Sequence, residues 1–151
     1  MARVARAGAR VALEPAAAAE LWADVTRWPS FVEGFGHVVS LDPDWPRKGA
    51  KVVWQSVPDG RGRVTESVLE HRGLTLRTQV FEEALAGRQT ARFEPAPGGS
   101  VVDVQLEYDL ARYGRLSGLA DLIFIRRALR DALRRTLRRF SVEAEEEADL
   151  R

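Results

Sequence analysis

The chain has 151 residues, with 23 Lys and Arg against 22 Asp and Glu, so its formal net charge is only +1. That near-balance supplies no overall pull toward nucleic acid, and the absence of cysteine excludes disulfides, thiolate catalysis and Cys-based zinc or iron–sulfur sites. A hydrophobic content of 45% beside 30% charged residues describes one globular domain over 1–151, able to bury about 70% of its unfolded surface.

Two histidines, His37 and His71, stand far apart, so no metal site and no cofactor are expected. Arg3, Arg6 and Arg10 interrupt the N-terminus, which therefore lacks the apolar core of a signal peptide. The longest strongly apolar run, Leu122 to Ile125, is far too short to cross a bilayer, and a cytoplasmic protein without an integral membrane segment is expected.

In chain order, residues 2–13 alternate. Ala5, Ala7, Ala9, Val11 and Leu13 share one parity, with Arg6 and Arg10 on the other, as in a first strand. Glu14-Pro15 opens a helix with proline where its missing donor is harmless. Trp28-Pro29 is expected to end that helix, because a residue before proline is pushed out of the helical region. A short helical or irregular piece, SFVEGFGHV, follows with Phe31, Val32, Phe35 and Val38. From Val38 to Leu110 the pattern changes to short Val-, Thr- and aromatic-rich segments at 38–42, 50–57, 62–71, 74–84, 88–94 and 100–110. Turn chemistry such as Pro58-Asp59-Gly60 and Pro97-Gly98-Gly99 separates them, which reads as an antiparallel meander. The last strand has a dry face (Val102, Val104, Leu106, Tyr108, Leu110) and a wet one, whereas 62–71 and 74–81 have no fully apolar face.

The final third, about 117–144, is a helix. Leu122, Ile125, Leu129, Ala132, Leu133, Leu137 and Phe140 recur at three- and four-residue spacing. Gly114 and Gly118 break the chain ahead of it, and Ser117 or Asp121 can cap its first turn. Acidic residues from about Glu143 onward oppose the helix dipole and are expected to fray the end. A one-sided rod of roughly 40 Å needs cover for its stripe, and a curved sheet that grips the helix supplies it.

No phosphate loop, nucleophile elbow or metal motif is present. Ser67 and His71 lie roughly 13 Å apart on a strand, too far for a nucleophile–base couple. Glu66, Glu70, Asp103 and Glu107 are expected to face water; a buried Glu66 or Asp103 would instead be a candidate general base. Seven arginines between 126 and 139 offer a rival reading, contact with nucleic acid or an anionic membrane surface. Pairing with Asp131 and Glu143, and a strand region without a basic stacking platform, argue for no nucleic acid; peripheral membrane contact ranks somewhat higher.

Four stretches, LWADVTRWPSF (21–31), GRGRVTESVLEH (60–71), RFEPAPGGSVVDVQLEYDL (92–110) and DLIFIRRALRDALRRTLRRF (121–140), resemble the START-like (SRPBCC) superfamily, within it the bacterial polyketide cyclase/dehydrase and lipid-transport family. The resemblance implies an α+β, helix-grip (Bet v 1-like) fold, with two short helices after strand 1 and a curved seven-stranded antiparallel sheet around the long C-terminal helix. It also implies an elongated apolar cavity between sheet and helix that binds a hydrophobic small molecule, lipid or polyketide-like. In the aromatase/cyclase branch, Trp28 matches a pocket tryptophan, but the arginines associated with aldol chemistry fall at His71 or Arg72 and at Phe81. Binding or transport is therefore the expected function, with a polyketide cyclase or dehydratase as the alternative and no catalytic residue assigned. The lining candidates are Trp28, Phe31, Phe35, Trp54, Leu69, Phe81, Phe93, Val104, Leu106, Tyr108, Leu122, Ile125 and Leu129, with Arg77, Gln79 and the Tyr108 hydroxyl as polar handles. Exposed sheet edges leave both monomer and homodimer open.

Overall fold

In the computed structural model, which describes residues 3–110 and 119–151 and side chains from Leu122 in the second stretch, alternation and periodicity become a sheet and a gripping helix. The elements in order are β1 (Arg3–Val11), α1 (Pro15–Ala23), α2 (Trp28–Phe31), β2 (Phe35–Leu41), β3 (Lys51–Ser56), β4 (Arg63–Arg72), β5 (Thr75–Phe81), β6 (Ala86–Ala96), β7 (Gly99–Asp109) and α3 (Leu119–Asp149). Strands β2 to β7 form a meander, and β1 joins its far edge beside β7, giving the order β1-β7-β6-β5-β4-β3-β2. Every pairing is antiparallel; in the closing one Ala5 faces Leu106 and Ala7 faces Val104. Because β1 and β2 lie at opposite edges, the chain between them crosses the sheet. It does so as α1 and α2. The seven-stranded curved sheet, the two short helices and the long terminal helix are the helix-grip fold.

The Trp28-Pro29 expectation is corrected. α1 stops earlier, at Ala23, and Asp24 takes an extended conformation whose side chain accepts from the Thr26 N–H at 3.0 Å. A single 3-10 turn over Val25–Arg27 leads into α2, so Pro29 opens a helix at a position where no donor is required. The piece expected to be helical or irregular is divided: Trp28–Phe31 is helical and Phe35 onward is strand.

α3 runs 31 residues, about 46 Å. Leu137, Phe140 and Ala144 in its second half are fully buried, while Leu122, Ile125, Leu129 and Leu133 in its first half are only partly so. The second half packs on aromatics. Phe140 meets Phe31 at 5.0 Å and Trp22 at 5.2 Å between ring centroids, both edge-on. The acidic end stays helical through Asp149, where fraying was expected. Arg27 explains the difference by pairing with Glu143 at 2.9 Å and Glu147 at 3.1 Å, and these bonds hold its guanidinium above the ordinary arginine value. Fixed positive charge offsets the unfavourable dipole there. The start signals read at Gly114, Ser117 and Gly118, and the Asp121 side chain, lie outside the described residues.

Candidate functional site

Beneath the first half of α3 the packing opens into a cavity of about 540 Å³. α3 covers it with Ala128, Leu129, Ala132 and Leu133, and α2 with Trp28 and Phe31; Trp54, Glu66, Leu76, Thr78, Gln89 and Leu106 project from the sheet. The β3–β4 loop, Val57 to Arg61, completes the wall. That loop turns through left-handed backbone at Asp59 (φ 64°) and Gly62 (φ 79°), and Ser56 accepts the Gly62 N–H at 2.9 Å. At the far side Thr136 accepts the Glu33 N–H at 2.9 Å, which ties the chain after α2 to α3.

Five lining candidates from the sequence, Trp28, Phe31, Trp54, Leu106 and Leu129, meet in this one space. Phe35 stands behind them, stacked on Trp54 at 5.1 Å and edge-on to Trp28 at 6.3 Å. Phe93 and Val104 are buried in the main core, Phe93 against Trp22 at 6.4 Å. Tyr108, Leu122 and Ile125 form a neighbouring cluster with Ala5, Leu85 and Leu110, and the buried Tyr108 hydroxyl has no hydrogen-bond partner among the described residues.

The remaining four candidates lie on the other side of the sheet. Leu69, Arg77, Gln79 and Phe81 occupy the outer face, Leu69 at 37% exposure and Phe81 at 51%. Gln79 donates to the Gly87 carbonyl at 2.8 Å, and Arg77 approaches Glu70 at 3.9 Å. The reason is parity. On β4 the inward residues are Val64, Glu66 and Val68, and on β5 they are Leu76, Thr78 and Val80. The polar groups that β4 and β5 send into the cavity are thus Glu66 and Thr78.

The expectation that Glu66 faces water is corrected. Its residue exposure is 8%, Oε2 accepts the Trp54 indole N–H at 3.1 Å, and Oε1 accepts the Thr78 hydroxyl at 3.2 Å. Burial pushes its carboxyl above the usual range. The positive charge of Arg61 and the bonds from Trp54 and Thr78 oppose that rise, and Glu82 adds to it. Arg61 is itself engaged, paired with Glu82 and stacked over the Trp54 ring with its guanidinium carbon 5.1 Å from the centroid. A carboxyl flanked by Val64 and Val68 on one strand face was the available sequence signal. The other carboxyl flagged, Asp103, lies on the outer face with Arg6 at 2.8 Å. Among the described residues no three His, Asp or Glu side chains converge as a metal site requires, and no helix is long and apolar enough to cross a membrane.

Solved structures share this architecture. A START superfamily protein from Mycobacterium smegmatis superposes with a TM-score of 0.76 at 11% identity, covering 95% of this chain and 97% of that one. The di-domain ARO/CYC StfQ of the steffimycin biosynthetic pathway gives 0.74 at 17% identity, covering 99% of this chain and 53% of that one. Norcoclaurine synthase from Thalictrum flavum gives 0.67 at 14% identity, covering 93% and 92%. At such identities the likeness concerns the fold. No curated protein matches the sequence. The family model for polyketide cyclase / dehydrase and lipid transport matches residues 1–145, and the chain belongs to that family.

Proposed function

We propose that this chain binds a hydrophobic small molecule, lipid or polyketide-like, in the cavity between the sheet and the first half of α3. The observation that carries the reading is the cavity itself. At about 540 Å³ it falls within the roughly 300–1,000 Å³ of small-molecule sites, and aromatic and aliphatic walls surround a few placed polar groups. Family membership points the same way, since lipid transport and polyketide chemistry both handle apolar molecules.

Binding is favoured over cyclase chemistry by the positions matched to that branch's arginines. His71, Arg72 and Phe81 are all exposed and none lines the cavity. A cyclase among the structural neighbours, the ARO/CYC StfQ, therefore supports the reading as a relative of similar fold rather than as a guide to catalysis. Native mass spectrometry of gently purified protein tests the proposal. The expected spectrum contains an adduct of apolar mass that Trp28→Ala depletes. An adduct-free spectrum together with no uptake of an environment-sensitive dye would refute it.

A further inference from the structure

Glu66 engages both carboxyl oxygens inside the cavity wall, and both partners are neutral. The indole N–H of Trp54 can only donate, so Oε2 must accept. A carboxylic acid accepts best through its carbonyl oxygen, which leaves Oε1 to carry any proton, beside the Thr78 hydroxyl. That hydroxyl rotates and can accept as readily as donate.

Burial favours that proton, while the charge of Arg61 opposes it and Glu82 offsets Arg61 in part. The groups facing Glu66 are Arg61 from the β3–β4 loop and Glu82 from the connection after β5, while Asp59 on that loop and Glu33 and Arg135 at the α2–α3 side line the same cavity. Arg61 is paired with Glu82, and Arg135 with Glu33 at 3.1 Å, so each arginine is matched to another acid. Among the described residues no cation forms an ion pair with Glu66. An unpaired carboxylate in an apolar wall is costly to keep ionised, whereas the neutral acid fits there and still offers a polar hydrogen.

We infer that Glu66 is the polar anchor of the cavity: holding its proton on Oε1, it donates a hydrogen bond to an uncharged acceptor oxygen, a carbonyl or ether, on an otherwise apolar ligand. Thr78 orients that donor and Trp54 holds the opposite oxygen. Because Glu66 acts inside the cavity, its role stands on the ligand being bound there. A cationic amine would instead require Glu66 ionised.

The test uses the naphthyl ketone dye prodan, an analogue with the ketone oxygen replaced by two hydrogens, and a naphthylalkyl ammonium of similar size. Wild type is expected to bind prodan about tenfold more tightly than the deoxygenated analogue, one hydrogen bond's worth in a dry site. Glu66→Leu erases that ratio, whereas Glu66→Gln, which keeps a neutral donor, retains most of it. The preference declines toward alkaline pH in wild type and stays level in Glu66→Gln. Equal wild-type affinity for prodan and its analogue overturns the anchor and leaves the cavity reading standing; this comparison needs no mutant to fold. A wild-type preference for the ammonium probe that Glu66→Gln abolishes also overturns it, in favour of an ionised site. Uptake of none of the probes removes the cavity reading, and the anchor with it.

Discussion

Trp54 donates its indole N–H to Glu66 at 3.1 Å across the β3–β4 ladder, two residues along β4 from Val64, its direct partner. The bond fixes a fully buried indole and a buried acid in the same wall, with Phe35 on one side of the indole and Arg61 over its ring. The buried acid of the cavity wall is therefore held by two neighbouring strands rather than by a loop.

Stability should depend on pH through that acid. Glu66 sits above the ordinary carboxyl range when folded, chiefly because it is buried, so the folded state holds the proton more tightly than the unfolded chain. Its contribution is fully present below the unfolded value and is lost as pH rises through the folded one. Glu66→Gln lacks this loss. Its Tm should gain on wild type as pH rises, by about 2–4 °C for each kcal/mol recovered. Calorimetry of both proteins between about pH 5 and about pH 9 checks it, and a constant difference would mean that Glu66 titrates as it does in the unfolded chain.

The two halves of α3 should respond differently to substitution. Phe140→Ala removes a ring held between Phe31 and Trp22 and should cost about 3–5 kcal/mol in urea unfolding. Ala132→Trp adds bulk where the helix faces the cavity, so it should lower dye affinity about tenfold or more without a comparable loss of stability. Equal destabilisation by the two would mean that the space beneath the first half is filled.

Arg27 should hold the helix end. Its partners Glu143 and Glu147 are partly buried, but the arginine side chain is about one-third exposed, so Arg27→Ala is expected to cost only about 1 kcal/mol. The effect should shrink in high salt, and amide exchange should quicken from Glu143 to Asp149. Unchanged exchange there would assign the order of the tail to Ala144 packing alone.

Much of this was legible in the residues. Alternation in β7 and the three-and-four spacing of α3 declare which faces are dry, and Leu106 and Leu129 lie on those inward faces. β4 and β5 did not declare themselves, because their inward faces carry Glu66 and Thr78 and so resemble wet faces. Polarity there marks the cavity, and a reading by hydrophobicity placed Leu69 and Phe81 inside instead. Arg27 was hidden for another reason: its acidic partners lie 116 and 120 residues away, where local dipole logic forecast fraying.

The most direct measurement maps an apolar probe by methyl and indole NMR. Prodan should perturb the Trp54 and Trp28 indoles and the methyls of Leu106, Ala132 and Leu133, and leave Leu69 and Val39 unmoved. Perturbations gathered on the outer sheet face, with the inner set silent, would contradict binding between sheet and helix.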